Sequence, residues 1–194
     1  MSTLENMNLT GQFLIAMPAM TDPYFSKTVT YICTHNQDGA MGVIINRNAD
    51  ISVASLFEQI QLETETTRLL NKAVHFGGPV QMERGFILHV PTTEYDSTIV
   101  VNNSVALTTS KDILEATAQN NGPKKMLIAL GYAGWTAGQL ENEVSQNAWL
   151  SLETSDTNHI HKLIFDADNL DKFDYAMRLM GLNLANLSEV AGHA

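Results

Sequence analysis

Cys33 and His35 stand two residues apart in a run, Thr28 to His35, that is rich in β-branched and aromatic side chains. On a strand, that spacing puts both on one face together with Tyr31. An imidazolium beside a thiol lowers its pKa and yields a reactive thiolate, so a thiol enzyme or redox sensor is one chemistry open to the pair. The competing reading is a cysteine packed inside a sheet, a common fate of a free thiol. His75, His89, His159, His161 and His193 add further nitrogen donors. None falls in an H-x-x-x-H or H-E-x-x-H spacing and no second thiol is present, so neither a metal nor another cofactor is expected.

The other candidates for chemistry are weaker. Gly134-Trp135-Thr136-Ala137-Gly138-Gln139 resembles a phosphate loop but lacks the G-K-[ST] ending that would supply a lysine and a metal-holding hydroxyl. A helix starting there could still take a small anion on its backbone N–H groups, or the glycines could simply let the backbone pass Trp135 closely. Glu141 and Glu143 are two apart, so on a helix they point different ways and make a poor acid–base pair. No G-x-S-x-G elbow occurs.

The elements that must hold these residues can be read in order. Phe13 to Met17 is a buried strand stopped by Pro18, and Asp22-Pro23 marks a turn. Thr28–His35 and Ala40–Asn46 form a hairpin around Asn36-Gln37-Asp38-Gly39. Ser52 caps a helix through Val53, Leu56, Phe57 and Ile60. Val74-His75-Phe76 leads into the tight Gly77-Gly78-Pro79 turn, followed by strands at Gly85–Val90 and Ser97–Val101. Thr109 or Ser110 caps a helix to Gln119, ended by Asn121-Gly122-Pro123, and Lys125–Leu130 is an apolar strand. A short helix from Thr136 carries Leu140 and Val144 inward. Late strands are expected at Trp149–Leu152 and Lys162–Phe165, with His159-Ile160-His161 in a loop-like stretch before the second. Asp168 caps a last helix with Phe173, Ala176, Met177 and Met180 on one stripe and Gly181 as its stop. Strands outnumber helices without regular alternation, which predicts an α+β fold with a mixed, largely antiparallel sheet and flanking helices.

Composition narrows the function classes. The 194 residues read as one domain, 1–194, with 11 Lys+Arg against 21 Asp+Glu and a formal charge of −10. From Trp135 onward nine acids face three bases, which places −6 of that charge in the last third of the chain, where it reads as a solvated face. Direct binding to nucleic acid is argued against, because counterion release needs clustered Lys and Arg and no basic reading helix is visible. The N-terminus shows no basic segment followed by an apolar run, and no apolar stretch approaches the roughly 20 residues of a membrane helix. With one cysteine, the chain fits a reducing, cytoplasmic compartment.

The order of motifs is more specific than any one of them. Gly11–Pro18 with Asp22-Pro23-Tyr24-Phe25, then Tyr31–Asn36, Asp38–Arg47, Phe76–Val80, Arg84–His89, Gly131–Trp135, Gly138–Glu141, Asn147–Leu150 and Ala191–Ala194 resemble the YqgE/AlgH family of bacterial proteins across essentially the whole chain. Two positions depart from that pattern. Asn48 stands where a proline usually follows Asn-Arg, and Phe173 or Tyr175 stands where a tryptophan is usual. The resemblance implies a sheet curled toward a pseudo-barrel and no established reaction, although members are often labelled transcriptional regulators. Its motif residues Asn36, Asp38, Gly39, Asn46, Arg47, Gly77, Gly78, His89, Trp135, Gln139 and Glu143 are the ligand- or partner-binding candidates. Gathered in one concave site they would form a polar pocket or docking face for a small molecule or protein; otherwise they are a hydrogen-bond network that fixes turns. The expected function is a non-catalytic binding or regulatory module. The alternatives are a transcriptional regulator acting through a protein partner and the thiol chemistry of Cys33 with His35.

Overall fold

The computed structural model describes residues 7–65, 67–91 and 93–183, so the start of the chain and the closing motif with His193 lie outside the described residues. β1 (Phe13–Ala16) is a continuous apolar run because both of its faces are covered: Phe13 and Ile15 enter one core cluster, Leu14 and Ala16 another. β2 (Val29–Asn36) and β3 (Gly39–Ile44) form the expected hairpin, with Asn36 Oδ1 accepting from the Asp38 amide at 2.8 Å and Gly39 at φ +133°. β9 (Met126–Thr136) is the spine of the sheet. Its first half pairs antiparallel with β6 (Val80–His89) and parallel with β5 (Ala73–Phe76), and its second half pairs antiparallel with β3.

The strand order is β10 (Trp149–Leu152), β1, β2, β3, β9, β6, β8 (Ala106–Thr108), β7 (Thr98–Val100), with β4 (Asn48–Ser52) added on β5. Every pairing except β5 with β9 is antiparallel, and the sheet curls into a half-barrel. The α+β expectation and its curled antiparallel sheet are met. Among the described residues no helix is long and apolar enough to cross a membrane.

Helices cover both faces. On one, α5 (Thr157–His161), a π-helical turn (Lys162–Asp166) and α6 (Asn169–Leu179) pack Ile160, Leu163, Ile164, Phe173, Ala176 and Met177 against Phe13, Tyr31, Val43, Leu127 and Ala129. On the other, α1 (Val53–Gln59), α2 (Thr67–Leu70) and α3 (Asp112–Ala118) pack against Val74, Ile87, Met126 and Ile128. A third cluster sits under α4 (Gln139–Ser145), around Leu14, Ile32, Trp135, Leu140 and Trp149.

Several expectations are corrected. Lys162–Phe165 is helical rather than a strand, and His159-Ile160-His161 before it is α5 rather than a loop. Ile160, Leu163 and Ile164 are buried at the i, i+3, i+4 spacing of a helix, which a short apolar run does not distinguish from a strand. Gly131–Trp135 continues β9, so no phosphate loop forms, and α4 starts only at Gln139 behind Gly138 at φ +73°. Neither Thr109 nor Ser110 caps α3. Lys111 holds that position and the Ser110 hydroxyl donates to Asp112 instead. Asp168 does precede α6, but its side chain makes no capping bond. Ser52 caps α1 as expected, accepting from the Ser55 amide at 3.1 Å. The chain also holds β4, β8 and α2, which periodicity does not announce.

Two glycines predict opposite outcomes. A Cβ on Gly78, at φ +152°, would meet Tyr132 backbone carbon at 2.1 Å, whereas a Cβ on Gly138 would meet nothing within 4 Å. In urea unfolding, Gly78→Ala is expected to lose about 3 kcal/mol or more, since neither backbone can yield. Gly138→Ala should lose only about 1–2 kcal/mol, the intrinsic strain of a left-handed alanine. Equal losses would show that the Gly78 crossing is not tight.

Candidate functional site

The sequence candidates separate into three groups rather than one pocket. The first lies where the β2–β3 turn meets the end of β9 and α4. Glu143 Oε2 accepts from both indole N–H groups, Trp135 at 2.9 Å and Trp149 at 2.8 Å, while Oε1 accepts from Gln139 Nε2 at 2.9 Å. Gln139 Oε1 in turn accepts from the Thr136 amide at 3.0 Å. Gly39 lets β3 lie on β9, since a Cβ there would meet Trp135 O at 2.2 Å. Asn36 and Asp38 are exposed at the turn tip. This group is a closed network that fastens α4, and Glu141 and Glu143 serve separate partners, as their spacing predicts.

The second group lies at the other end of β3, about 20 Å away. Asn46 accepts from the Val29 amide at 2.8 Å and donates to Lys27 O at 2.9 Å. Arg47 donates from Nη1 to Pro23 O at 2.8 Å and Tyr24 O at 2.6 Å, and from Nη2 to Ser26 O at 2.8 Å. Gly77 and Gly78 cross β9 here. The third is His89 alone, buried on β6. Its Nδ1 donates to Val90 O at 2.9 Å, Nε2 accepts from Thr108 Oγ1 at 2.8 Å, and Thr108 Oγ1 accepts from Thr98 Oγ1 at 2.8 Å. Thr98 Oγ1 then accepts from the Tyr95 amide, so one proton direction runs along the whole chain. Burial holds the His89 imidazole below its ordinary pKa, consistent with that neutral ring.

The thiol reading does not survive the geometry. A register shift between Ile32 and Thr34 moves His35 off the face it would share with Cys33. Tyr31 pairs with Val43 over the first core cluster and Cys33 packs there too, but His35 pairs with Ala40, which belongs to the cluster under α4. His35 Nδ1 accepts from the Leu9 amide at 3.0 Å and Nε2 faces Glu141 Oε1 at 3.1 Å. Cys33 is 1% exposed, and burial pushes its thiol up to about 12. Among the described residues no group of three or more His, Cys, Asp or Glu is placed to hold a metal.

Two cavities lie on either side of Asn48. One, of about 480 Å³, includes Arg47, Tyr24, Ile51, Phe76, Met82 and Leu130 in its lining. The other, of about 470 Å³, is a cleft between β5–β9 and residues 164–172, and sequence reasoning missed it. Its distinctive residue is Lys172, 2% exposed, whose Nζ donates to Ile45 O at 2.7 Å and Ile164 O at 3.1 Å. Burial brings this ammonium down to about 8, opposed by the nearby Asp168 carboxylate. His75 shares the cleft and is held down to about 4 by burial, with Lys172 adding repulsion. A neutral ring donates only one proton, while Nδ1 faces Ile128 O at 3.3 Å and Nε2 faces the Asn169 amide at 3.1 Å. The Asn169 oxygen can only accept, so the neutral ring carries its proton on Nε2 and donates it to Asn169, whose Nδ2 in turn donates to Asn48 Oδ1, and Nδ1 faces Ile128 O without a proton. The signal for this site was a lysine inside the apolar register of α6, next to Phe173.

Fold and site together define a curled-sheet α+β protein with two adjacent cavities, each lined by a basic side chain anchored on backbone carbonyls. The AlgH-like family profile matches residues 13–185, and the chain belongs to that family. It is 52% identical over 191 residues to a UPF0301 protein of Thiobacillus denitrificans, covering 98% of this chain and all of that one. A UPF0301 protein of Ralstonia pickettii is 50% identical, over 97% of this chain and 96% of its own. The solution structure of the AlgH protein from Pseudomonas aeruginosa superposes with a TM-score of 0.78 at 42% identity, with full coverage of both chains. A crystal structure of a Corynebacterium diphtheriae protein shares the fold, at TM-score 0.66 and 20% identity over 90% of this chain and 88% of that one.

Two measurements follow. A neutral-pH alkylating reagent should leave Cys33 unmodified in the native protein and modify it once denaturant is added; rapid native labelling would restore the thiol reading. The unfolded chain takes up a proton on His75 near pH 6.5, the folded protein only near pH 4. Between those values the unfolded state holds more protons, so stability falls as pH drops, by up to about 3 kcal/mol. The stability–pH curve of His75→Phe should lack that fall; a curve parallel to the parent would sink the assignment.

Proposed function

We propose that this protein is a non-catalytic binding module of the cytoplasm that seats a small polar molecule in the Lys172 cleft. The observation that carries this reading is the incomplete satisfaction of Lys172. An ammonium has three protons, and two are donated to the Ile45 and Ile164 carbonyls. A buried cation with one unfilled proton is costly, and an oxygen acceptor placed in the cleft relieves that cost. The amides of Asn48 and Asn169 and the His75 ring lie along the same lining, where they would orient a ligand that carries both donors and acceptors. A volume near 470 Å³ suits a small metabolite.

Lys172 also ties α6 to the backbone just after β3, so occupancy that competes for its protons would shift the balance between these two elements. That is a route by which a binding event becomes regulatory, including transcriptional control through a protein partner. Catalysis by Cys33 has no comparable support, since the thiol is buried and its histidine is turned away.

The test is an NMR titration with a panel of small carboxylates, carbonyl compounds and polyols. At least one class should shift the amide resonances of His75, Ile128 and residues 164–172 saturably, and Lys172→Met, with its fold verified by melting, should abolish the shifts. No response at these residues across the panel, or undiminished binding by Lys172→Met, would overturn the reading.

A further inference from the structure

The cavity across Asn48 from the cleft has a different chemistry, and its case is independent of the cleft. Its floor and walls include Ile51, Phe76 and Leu130, and its rim carries Tyr24, 46% exposed, and Met82, 49% exposed. Large apolar side chains so exposed are few among the described residues, and two of them border one pocket. Tyr24 and Phe76 stack, with ring centroids 5.8 Å apart and planes 21° from parallel.

Against this apolar surface stands one cation. Arg47 places three of its five N–H groups on the Pro23, Tyr24 and Ser26 carbonyls, which fixes the guanidinium. The Nε proton and one Nη2 proton have no acceptor among the described residues, and no carboxylate there lies within ion-pair distance. In a chain of net charge −10, an arginine held rigid and left without an acid is a seat for an anionic oxygen. Asp50 also lines the pocket, so a second negative charge on the ligand would meet repulsion.

We infer that the pocket formed by Tyr24, Arg47, Phe76 and Met82 binds a small aryl monocarboxylate, its ring against the aromatic pair and its carboxylate on Arg47. The aromatic stack sets the ring's place, the fixed guanidinium sets the carboxylate's, and Asp50 restricts the ligand to one charge.

The experiment titrates the whole protein with 3-phenylpropionate and, separately, with the uncharged 3-phenylpropanamide, followed by NMR. The carboxylate should give saturable shifts at Tyr24, Arg47, Ile51, Phe76 and Leu130, and the amide should bind about tenfold or more weakly, having lost its charge. Because Arg47 holds a loop, its replacement could disturb folding, so the variant used is Met82→Glu at the exposed rim. It should melt like the parent and weaken the carboxylate about tenfold or more by repulsion and lost apolar contact. Lys172→Met should bind 3-phenylpropionate unchanged. Absence of saturable shifts at these residues, equal binding of acid and amide, undiminished binding by Met82→Glu, or loss of binding in Lys172→Met would each overturn the assignment.

Discussion

Everything in this fold depends on other stretches of backbone coming within van der Waals distance of β9. At three places a side chain would make that impossible: Gly39 over Trp135, Gly77 against Gly131, and Gly78 against Tyr132. Because these contacts are backbone on backbone, no rotamer change relieves a substitution there. The consequence is that one eleven-residue strand serves three partners, β3 on its second half and β5 and β6 on its first. Sheet curvature, the position of the Arg47 loop and the two cavities beside Asn48 are all downstream of that packing.

A sheet built this way cannot keep one alternation throughout. Before Gly131, Leu127 and Ala129 face the α6 side, while Met126 and Ile128 face α1 and α3. After it, Tyr132 packs toward the α6 side and Ala133 and Trp135 toward α4, so the left-handed glycine has inverted the phase. The shift at Cys33 does the same on β2. Period-two reasoning placed Tyr31 and Cys33 together correctly and failed for His35, two residues beyond, because a bulge leaves no mark in residue type that distinguishes it from a regular strand.

Local signals were therefore legible and phase-dependent ones were not. The β2–β3 turn, the Ser52 cap, the Gly77-Gly78 crossing and the α6 stripe rest on residue chemistry acting within a few positions, and each stands where its residues imply. The family motif residues were legible as important but not as to purpose: Glu143, Trp135 and Gln139 bind one another, and Asn46 binds backbone. The cleft was illegible for two reasons. Its walls come from β5 and from residues 164–172, about ninety positions apart in sequence. Its key residue is a lysine, a type that is almost never buried and so reads as the solvent face of a helix.

The two cations give the acidic surface a different meaning. A net charge of −10 suggests a protein that repels anions, yet charges beyond about 8 Å are largely screened at physiological salt. Within that distance the local groups decide: Lys172 beside a neutral His75 and near Asp168, and Arg47 in one pocket with Asp50 but with no carboxylate in ion-pair distance among the described residues. Both cations are anchored by backbone carbonyls, which neutralise part of a charge without cancelling it as a carboxylate would. Carbonyl anchoring thus holds Lys172 inside a low-dielectric wall, and Arg47 at a partly exposed one, while leaving residual positive charge at each. The acids of the last third of the chain set the net charge, while the anchored cations set the potential inside the two cavities. A net negative charge and cavities lined by carbonyl-anchored cations are therefore compatible properties of one charge distribution.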